Sequence, residues 1–195
     1  MSHYFINDKN LANKPNIIEV KIHGHLFSFQ TDSGVFSKGH IDFGSKLLVE
    51  TFLEHYQDGK VLDLGCGYGF IGISLSKIIK NQVDMIDINE KAVSLSIKNS
   101  ELNRVSTNVL LSEGFNSVEQ KYDVIISNPP IRIGKKAMYE LLTDAKNYLY
   151  PEGELWLVIR KAQGADSFVK DFARYYKVEI IQKKKGFYII KAVYS

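Results

Sequence analysis

The segment Asp63-Leu64-Gly65-Cys66-Gly67-Tyr68-Gly69 constrains this chain more than any other. It follows a short apolar run at 60–64 and opens a stretch at 70–79 whose apolar residues recur at helical spacing. A buried strand that runs into a glycine turn and then a helix is the opening unit of a parallel α/β sheet. The alternation continues: strands are expected at 83–88, 108–111, 122–126 and 154–159. Between and after them, helices are expected at 90–103, at 137–150, where Pro151 stops the run, and at 165–176. Two last strands, 178–182 and 187–193, are joined by Lys183-Lys184-Lys185-Gly186, a turn that suits an antiparallel hairpin. The fold class is α/β: a mostly parallel sheet with helices on both faces and a reversed hairpin at its end.

The first part of the chain has another character. IIEVKI and LFSFQ read as two short strands around His23-Gly24-His25, a hairpin. The segment TDSGVFSKGHIDFGS is rich in Gly, Ser and Asp and reads as a loop. Ser45 is placed to cap a helix carrying Leu47, Leu48, Phe52 and Leu53. The expected organisation is a β extension with a loop at 1–45 and the α/β domain at 46–195, together one structural unit.

At 195 residues with 45% apolar and 24% charged content, the chain is one ordinary domain rather than a disordered tail. The single Cys66 excludes an internal disulfide framework. The first residues lack the basic start and apolar centre of a signal peptide, and the run Leu155-Trp156-Leu157-Val158-Ile159 is far too short to span a membrane. The expected location is the cytoplasm, with no membrane partner. A net charge of +3 is no evidence for nucleic acid by itself; it leaves room for a basic face.

The loop spacing is G-x-G-x-G, not the G-x-G-x-x-G of dinucleotide binders, and an acid, Asp63, stands two residues before it. An acid there suits a ligand with an ammonium group better than a pyrophosphate. Asp87 lies 24 positions further, at the end of the second parallel strand, where a carboxylate accepts both hydroxyls of a ribose. S-adenosylmethionine has an amino-acid end and an adenosine end, and so fits both acids. Each feature also has a structural reading: glycines for a tight turn, Asp63 as a helix cap, Asp87 as a turn residue. Two acids in register on consecutive strands favour the cofactor. Cys66 reads as a small packing residue, having no basic partner adjacent in sequence.

The fourth parallel strand runs into Ser127-Asn128-Pro129-Pro130, expected beside the glycine loop. Two prolines remove two N–H donors, leaving carbonyl oxygens and the Asn128 amide oxygen as acceptors. Acceptors placed there suit the NH₂ of a base, whose lone pair is tied up in the ring. Holding its hydrogens helps the nitrogen become tetrahedral and stabilises the charge that grows on it. A carboxylate at position 128 would accept as well.

These motifs carry a resemblance. GVFSKGHIDFGSKLL (34–48), VLDLGCGYGFIGI (61–73), VDMIDINEKAV (83–93) and DVIISNPPIRIGKK (123–136) resemble the class I S-adenosylmethionine-dependent methyltransferases. Among these the chain is similar to the small methyltransferase-domain family that includes the ribosomal RNA guanine-N2 methyltransferases, single-domain type. The resemblance implies a Rossmann-like, seven-stranded sheet. It implies that Asp63, Gly65, Gly67 and Gly69 hold the methionine end, Asp87 the ribose and Glu113 the adenine amine. It implies that Asn128, Pro129 and Pro130 receive the target amine, with Asn128 also bordering the cofactor. Many amino-methyltransferases have an aromatic residue after the prolines; Ile131 here favours guanine N2 over adenine N6 or a protein glutamine N5. Stacking on the base then falls to another residue, with Phe36 the candidate. The larger guanine-N2 enzymes carry a degenerate second copy of the domain, which this chain does not contain.

Lys38, His40, Arg132, Lys135 and Lys136 flank the expected pocket as a positive rim for ribosomal RNA or a ribosomal particle, with Lys183, Lys184 and Lys185 a possible extension. The histidines His3, His23, His25, His40 and His55 do not form a metal site; His23 and His25 belong to an exposed hairpin. The resulting expectation is methyl transfer to an exocyclic amine, foremost guanine N2 in ribosomal RNA. The alternatives are adenine N6, glutamine N5, or a non-catalytic RNA-binding or ribosome-assembly factor. Intact Asp63, Asp87 and Asn128 argue against the last.

Overall fold

Strand and helix alternate as the periodicities require, in a computed structural model that describes residues 16–31, 40–129 and 133–194. The strands are β1 (Asn16–Ile22), β2 (His25–Thr31), β3 (Val61–Leu64), β4 (Val83–Asp87), β5 (Thr107–Leu111), β6 (Tyr122–Ser127), β7 (Leu149–Arg160), β8 (Lys177–Lys184) and β9 (Phe187–Val193). The α-helices are α1 (Phe43–Leu53), α2 (Phe70–Ile79), α3 (Glu90–Asn103), α4 (Lys135–Asp144) and α5 (Ala165–Phe172). Seven strands form one sheet in the order β5-β4-β3-β6-β7-β9-β8, and β9 alone runs against the rest. The order reverses between β3 and β6, so the glycine loop and the Asn128 turn emerge side by side.

Strand alternation builds two cores. Val61, Val83, Met85, Val124, Ile126, Trp156 and Ile189 point to the face covered by α1, α2 and α3. Leu62, Ile86, Ile125, Leu155, Leu157 and Ile190 point to the face covered by α4 and α5. No helix among the described residues is long and apolar enough to cross a membrane.

The β1–β2 hairpin stands apart from the main sheet, with His23 and Gly24 both at positive φ, 46° and 83°, as a two-residue turn demands. It is not a separate domain: Ile22, Phe27 and Phe29 lie in the same core as α1, α2 and α3. Its open edge is covered by two asparagines one helical turn apart on α3. Asn103 accepts from the Ser28 N–H at 3.1 Å and donates to the Ser28 carbonyl at 2.8 Å. Asn99 does the same for Gln30, at 2.8 and 3.0 Å. The side chains thus complete a strand edge that would otherwise leave buried backbone groups unpaired.

Several expected boundaries shift. The N-cap of α1 is Asp42, not Ser45: its carboxylate accepts from the Ser45 N–H at 2.7 Å. A division at residue 45 therefore falls inside α1. The helix expected to reach Tyr150 ends at Asp144, continues as a 3₁₀ turn to Tyr148, and gives way to β7, which contains Pro151. Pro151 is tolerated there because the pairing with β6 is irregular between Tyr122 and Val124, so its missing N–H breaks no regular ladder. Helix α5 stops at Phe172 rather than Tyr176. Lys183 and Lys184 belong to β8, and only Lys185-Gly186, at φ 48° and 77°, make the turn.

Candidate active site

The carboxyl ends of β3, β4, β5 and β6 bring the candidate residues to one rim. After Leu64 the chain turns back over β4: the Gly65 and Cys66 N–H groups both donate to the Ile86 carbonyl, at 2.9 and 3.0 Å. Gly67, at φ 58°, aims its N–H at Asp87 Oδ2, 2.8 Å away, and a side chain there would project into open space. Helix α3 fixes the loop from outside. Ser96 Oγ donates to the Gly67 carbonyl at 2.9 Å, and Asn99 Nδ2 to the Tyr68 carbonyl at 2.8 Å. These contacts hold the loop in shape. Cys66 is buried with its sulfur 3.6 Å from Ser96 Oγ, and burial pushes the thiol well above its ordinary range, in keeping with a packing role.

Asp63 serves two readings at once. It is fully buried on the α2 face, where Oδ2 accepts from the Gly72 N–H at 2.8 Å and so caps the first turn of α2. Gly72 permits this approach, since a Cβ there would overlap the Met85 sulfur. The other oxygen, Oδ1, is buried without a hydrogen-bond partner among the described residues. Burial pushes the Asp63 pKa up to about 7; the Gly72 N–H opposes this and the nearby Asp87 charge adds to it. A buried, unpaired carboxylate oxygen costs on the order of 1–3 kcal/mol, a cost that a cationic group beside it relieves.

Asp87 ends β4, half-buried. Its oxygens accept from Gly67 and from the Asn89 N–H, the latter at 2.9 Å. Burial raises its pKa, and the N–H groups of Asn89, Gly67 and Ile88 hold it back. Glu113 is exposed just past β5, next to Ser112, whose N–H donates to the Asp87 carbonyl at 2.9 Å. Glu113 and Asp87 therefore border the same strand ends.

At the exit of β6, the fully buried Ser127 donates to the Leu64 carbonyl at 2.7 Å, tying this turn to the glycine loop. Asn128 follows, half-buried. Its Nδ2 donates to Ser45 Oγ at 2.8 Å and to Asp42 Oδ2 at 3.1 Å. Both amide hydrogens are committed, and Oδ1 is left as an acceptor with no hydrogen bond among the described residues. Pro129 beside it is buried. Sequence reasoning missed Asp42 and gave Ser45 only a capping role; the signal available was GHIDFGS, a capping acid three residues ahead of a serine.

Pro130, Ile131, Arg132, Phe36 and Lys38 lie outside the described residues. Lys135 opens α4 and is exposed. Its ammonium is 3.8 Å from Asp171 and 5.1 Å from the Tyr139 ring centre, directed toward α5. Lys136 pairs with Glu140 at 3.9 Å. Both lysines line a groove between α4 and α5 that holds as many acids as bases, so it offers no strong field to a polyanion.

A G-x-G-x-G loop under a buried acid, a second acid one strand over and a single reversed strand define a Rossmann-like methyltransferase fold. The chain belongs to the methyltransferase small domain family, whose model matches residues 26–191. The methyl donor of that family is S-adenosylmethionine, and the unpaired Asp63 oxygen, the open Gly67 and the half-buried Asp87 fit it. The chain is 42% identical over 196 residues to an uncharacterized Bacillus subtilis (strain 168) protein, YbxB, covering 97% of each. It is 42% identical over 130 residues to ribosomal RNA small subunit methyltransferase C of Haemophilus influenzae (strain PittEE), covering 64% of this chain and 39% of that one. Among solved structures, it matches a T. thermophilus 16S rRNA N2 methyltransferase in complex with AdoMet and guanosine. That match has a TM-score of 0.82 at 22% identity, covering 92% of this chain and 50% of that one. The chain thus spans half or less of these named methyltransferases.

Proposed function

We propose that this protein transfers a methyl group from S-adenosylmethionine to the exocyclic N2 amine of a guanine in ribosomal RNA. The observation that carries the reading is Asn128: with both amide hydrogens held by Ser45 and Asp42, its Oδ1, without a hydrogen bond among the described residues, is a fixed acceptor at the rim beside the glycine loop. The relatives named as small-subunit ribosomal RNA methyltransferases support RNA over a protein glutamine as the substrate class.

The cofactor supplies an electrophilic methyl on a sulfonium. Asp63 Oδ1 offers a charge partner for the ammonium of its methionine end, Asp87 holds the ribose hydroxyls, and Glu113 accepts from the adenine amine. Asn128 Oδ1, with the Pro129 carbonyl, accepts from the target NH₂ and turns its lone pair toward the methyl. The N–C bond would form as the C–S bonding pair left with sulfur, and Asn128 Oδ1 and the Pro129 carbonyl would stabilise the positive charge growing on the nitrogen. The extra proton leaves to solvent, so no strong base is needed. Most of the acceleration comes from orientation and fixed dipoles.

Nucleoside analysis of ribosomal RNA from a strain lacking the gene, against its parent, tests the assignment. The expected outcome is the loss of one N2-methylguanosine. An unchanged nucleoside profile, or the loss of a different methylated base, refutes it.

A further inference from the structure

A second feature on the same rim is a cluster of cations without an ion pair among the described residues. Arg160 ends β7 opposite Phe187, the first residue of β9, and the Lys161 N–H donates to the Gly186 carbonyl at 2.8 Å. Lys184 ends β8 opposite the same Phe187, and Lys185 forms the turn. Four exposed cations thus surround one hairpin turn at the carboxyl ends of the parallel strands. Among the described residues, none of the four forms an ion pair, whereas Lys46, Lys135, Lys136 and Lys191 each do.

Two of the four are braced on aromatic rings. The Arg160 guanidinium lies 4.5 Å from the Phe187 ring centre, and the Lys185 ammonium 5.0 Å from that of Phe43. The two rings pack together with centres 5.5 Å apart. Phe187 in turn sits against Gly44, where a Cβ would come within 2.7 Å of its ring. Gly44 is in the first turn of α1, and the cap of that turn, Asp42, holds Asn128. One helical turn therefore connects the cationic edge to the amide proposed to receive the target amine. A site that takes one nucleotide from a polymer needs a cationic surface next to it for the flanking phosphates.

We propose that Arg160, Lys161, Lys184 and Lys185 bind the phosphate backbone of the RNA beside the nucleotide presented to Asn128, an inference that rests on the reading of Asn128 above. Charge with no ion-pair partner among the described residues, ring-braced geometry and contiguity with the acceptor all select a polyanion. Lys135, which sequence alone favoured for this task, is directed toward Asp171 instead.

The test is a triple variant, Arg160→Gln, Lys184→Gln and Lys185→Asn. The last change leaves Asn-Gly in the turn, a preferred pair at these positive φ values, so the hairpin keeps its shape. The anisotropy of a short labelled single-stranded RNA, titrated across salt without cofactor, reads binding independently of any methylation chemistry. Losing three phosphate contacts should lower the log–log salt slope by about 2 and weaken affinity about 100-fold at about 0.1 M salt. S-adenosylmethionine affinity should stay at the parental value, and the melting temperature should fall by no more than a few degrees, the loss of two exposed cation–ring contacts. Arg160→Lys should restore part of the slope lost on Arg160→Gln, since the contact is a charge contact. A triple variant with parental affinity and slope overturns the proposal, as does weakened binding with an unchanged slope. Asn128→Ala run beside it separates the two readings: parental RNA binding with parental methylation would remove Asn128 from the reaction while leaving the edge's own result readable.

Discussion

Replacing Asn128 by Asp looks conservative, because a carboxylate accepts hydrogen bonds as an amide oxygen does. Here the surroundings reverse that expectation. Asn128 Nδ2 lies 3.1 Å from Asp42 Oδ2, so Asn128→Asp converts a hydrogen bond into a contact between two carboxylates. At 3.1 Å and an effective dielectric constant of about 20, two unit charges repel by about 5 kcal/mol. The pair relieves this by taking up a proton or by turning the new carboxylate away. The first leaves a weaker acceptor and the second a misplaced one. Methyl transfer should fall by about 10²-fold or more, comparable to Asn128→Ala and to the loss of a fixed transition-state hydrogen bond. Adding Asp42→Asn should rescue the variant. The amide introduced at position 42 carries no charge and keeps its oxygen on the Ser45 N–H, the Ser45 hydroxyl can donate to the introduced carboxylate instead of accepting from the amide, and the other carboxylate oxygen is left for the target amine. The double variant should recover to within about tenfold of the parent, a coupling that independent residues would not show. Single-turnover methylation of guanine-containing RNA reads the rate, with cofactor affinity as the control for an intact loop. A parental rate for Asn128→Asp alone, or a double variant no faster than that single one, would refute this account of how Asn128 is oriented.

Asp87→Ala should weaken S-adenosylmethionine binding by about 1–3 kcal/mol in calorimetry, because the ribose hydroxyls lose the acceptor proposed for them and the Gly67 N–H loses its own. The Asp63 pKa is raised to about 7, so below that pH the native carboxyl is neutral and cannot pair with an ammonium. Cofactor affinity should therefore rise roughly tenfold between about pH 5.5 and 7, and Asp63→Asn should remove this dependence. The native state holds this proton more tightly than an unfolded chain does. The Asp63 contribution to cofactor-free stability therefore falls as pH rises from its ordinary 3.8 to about 7, measurable as a falling melting temperature relative to Asp63→Asn. Asn103→Leu leaves the Ser28 N–H and carbonyl without their partners, and should destabilise by about 2–4 kcal/mol while raising hydrogen exchange in the β1–β2 hairpin.

What the sequence determined by itself is whatever short-range physics fixes. Helical periodicity placed α2 at Phe70–Ile79 and α3 at Glu90–Asn103, as observed. Glycine chemistry placed the turns after β3 and within both hairpins, because positive φ excludes most other residues there. Alternation of strand and helix, with the reversed final hairpin, was enough for a mostly parallel sheet with helices on both faces, whereas its seven-stranded form followed from the family resemblance. Tertiary structure decided which distant group each polar side chain meets. The inner face of α3 carries Ser96, Asn99 and Asn103, while Ile97 on the same helix is exposed, because that face holds the glycine loop and the edge of β2. No local period reveals a polar face whose partners lie 69 and 75 positions away. Asp42 and Asn128 are 86 positions apart, and their hydrogen bond exists only because β6 pairs with β3 while α1 caps the same rim. The cationic edge was likewise invisible as an edge: Arg160 and Lys185 become neighbours through the register of β7 with β9. Periodicity and turn chemistry act within a few residues, whereas a hydrogen-bond partner or an uncancelled charge is settled only when the sheet has closed around it.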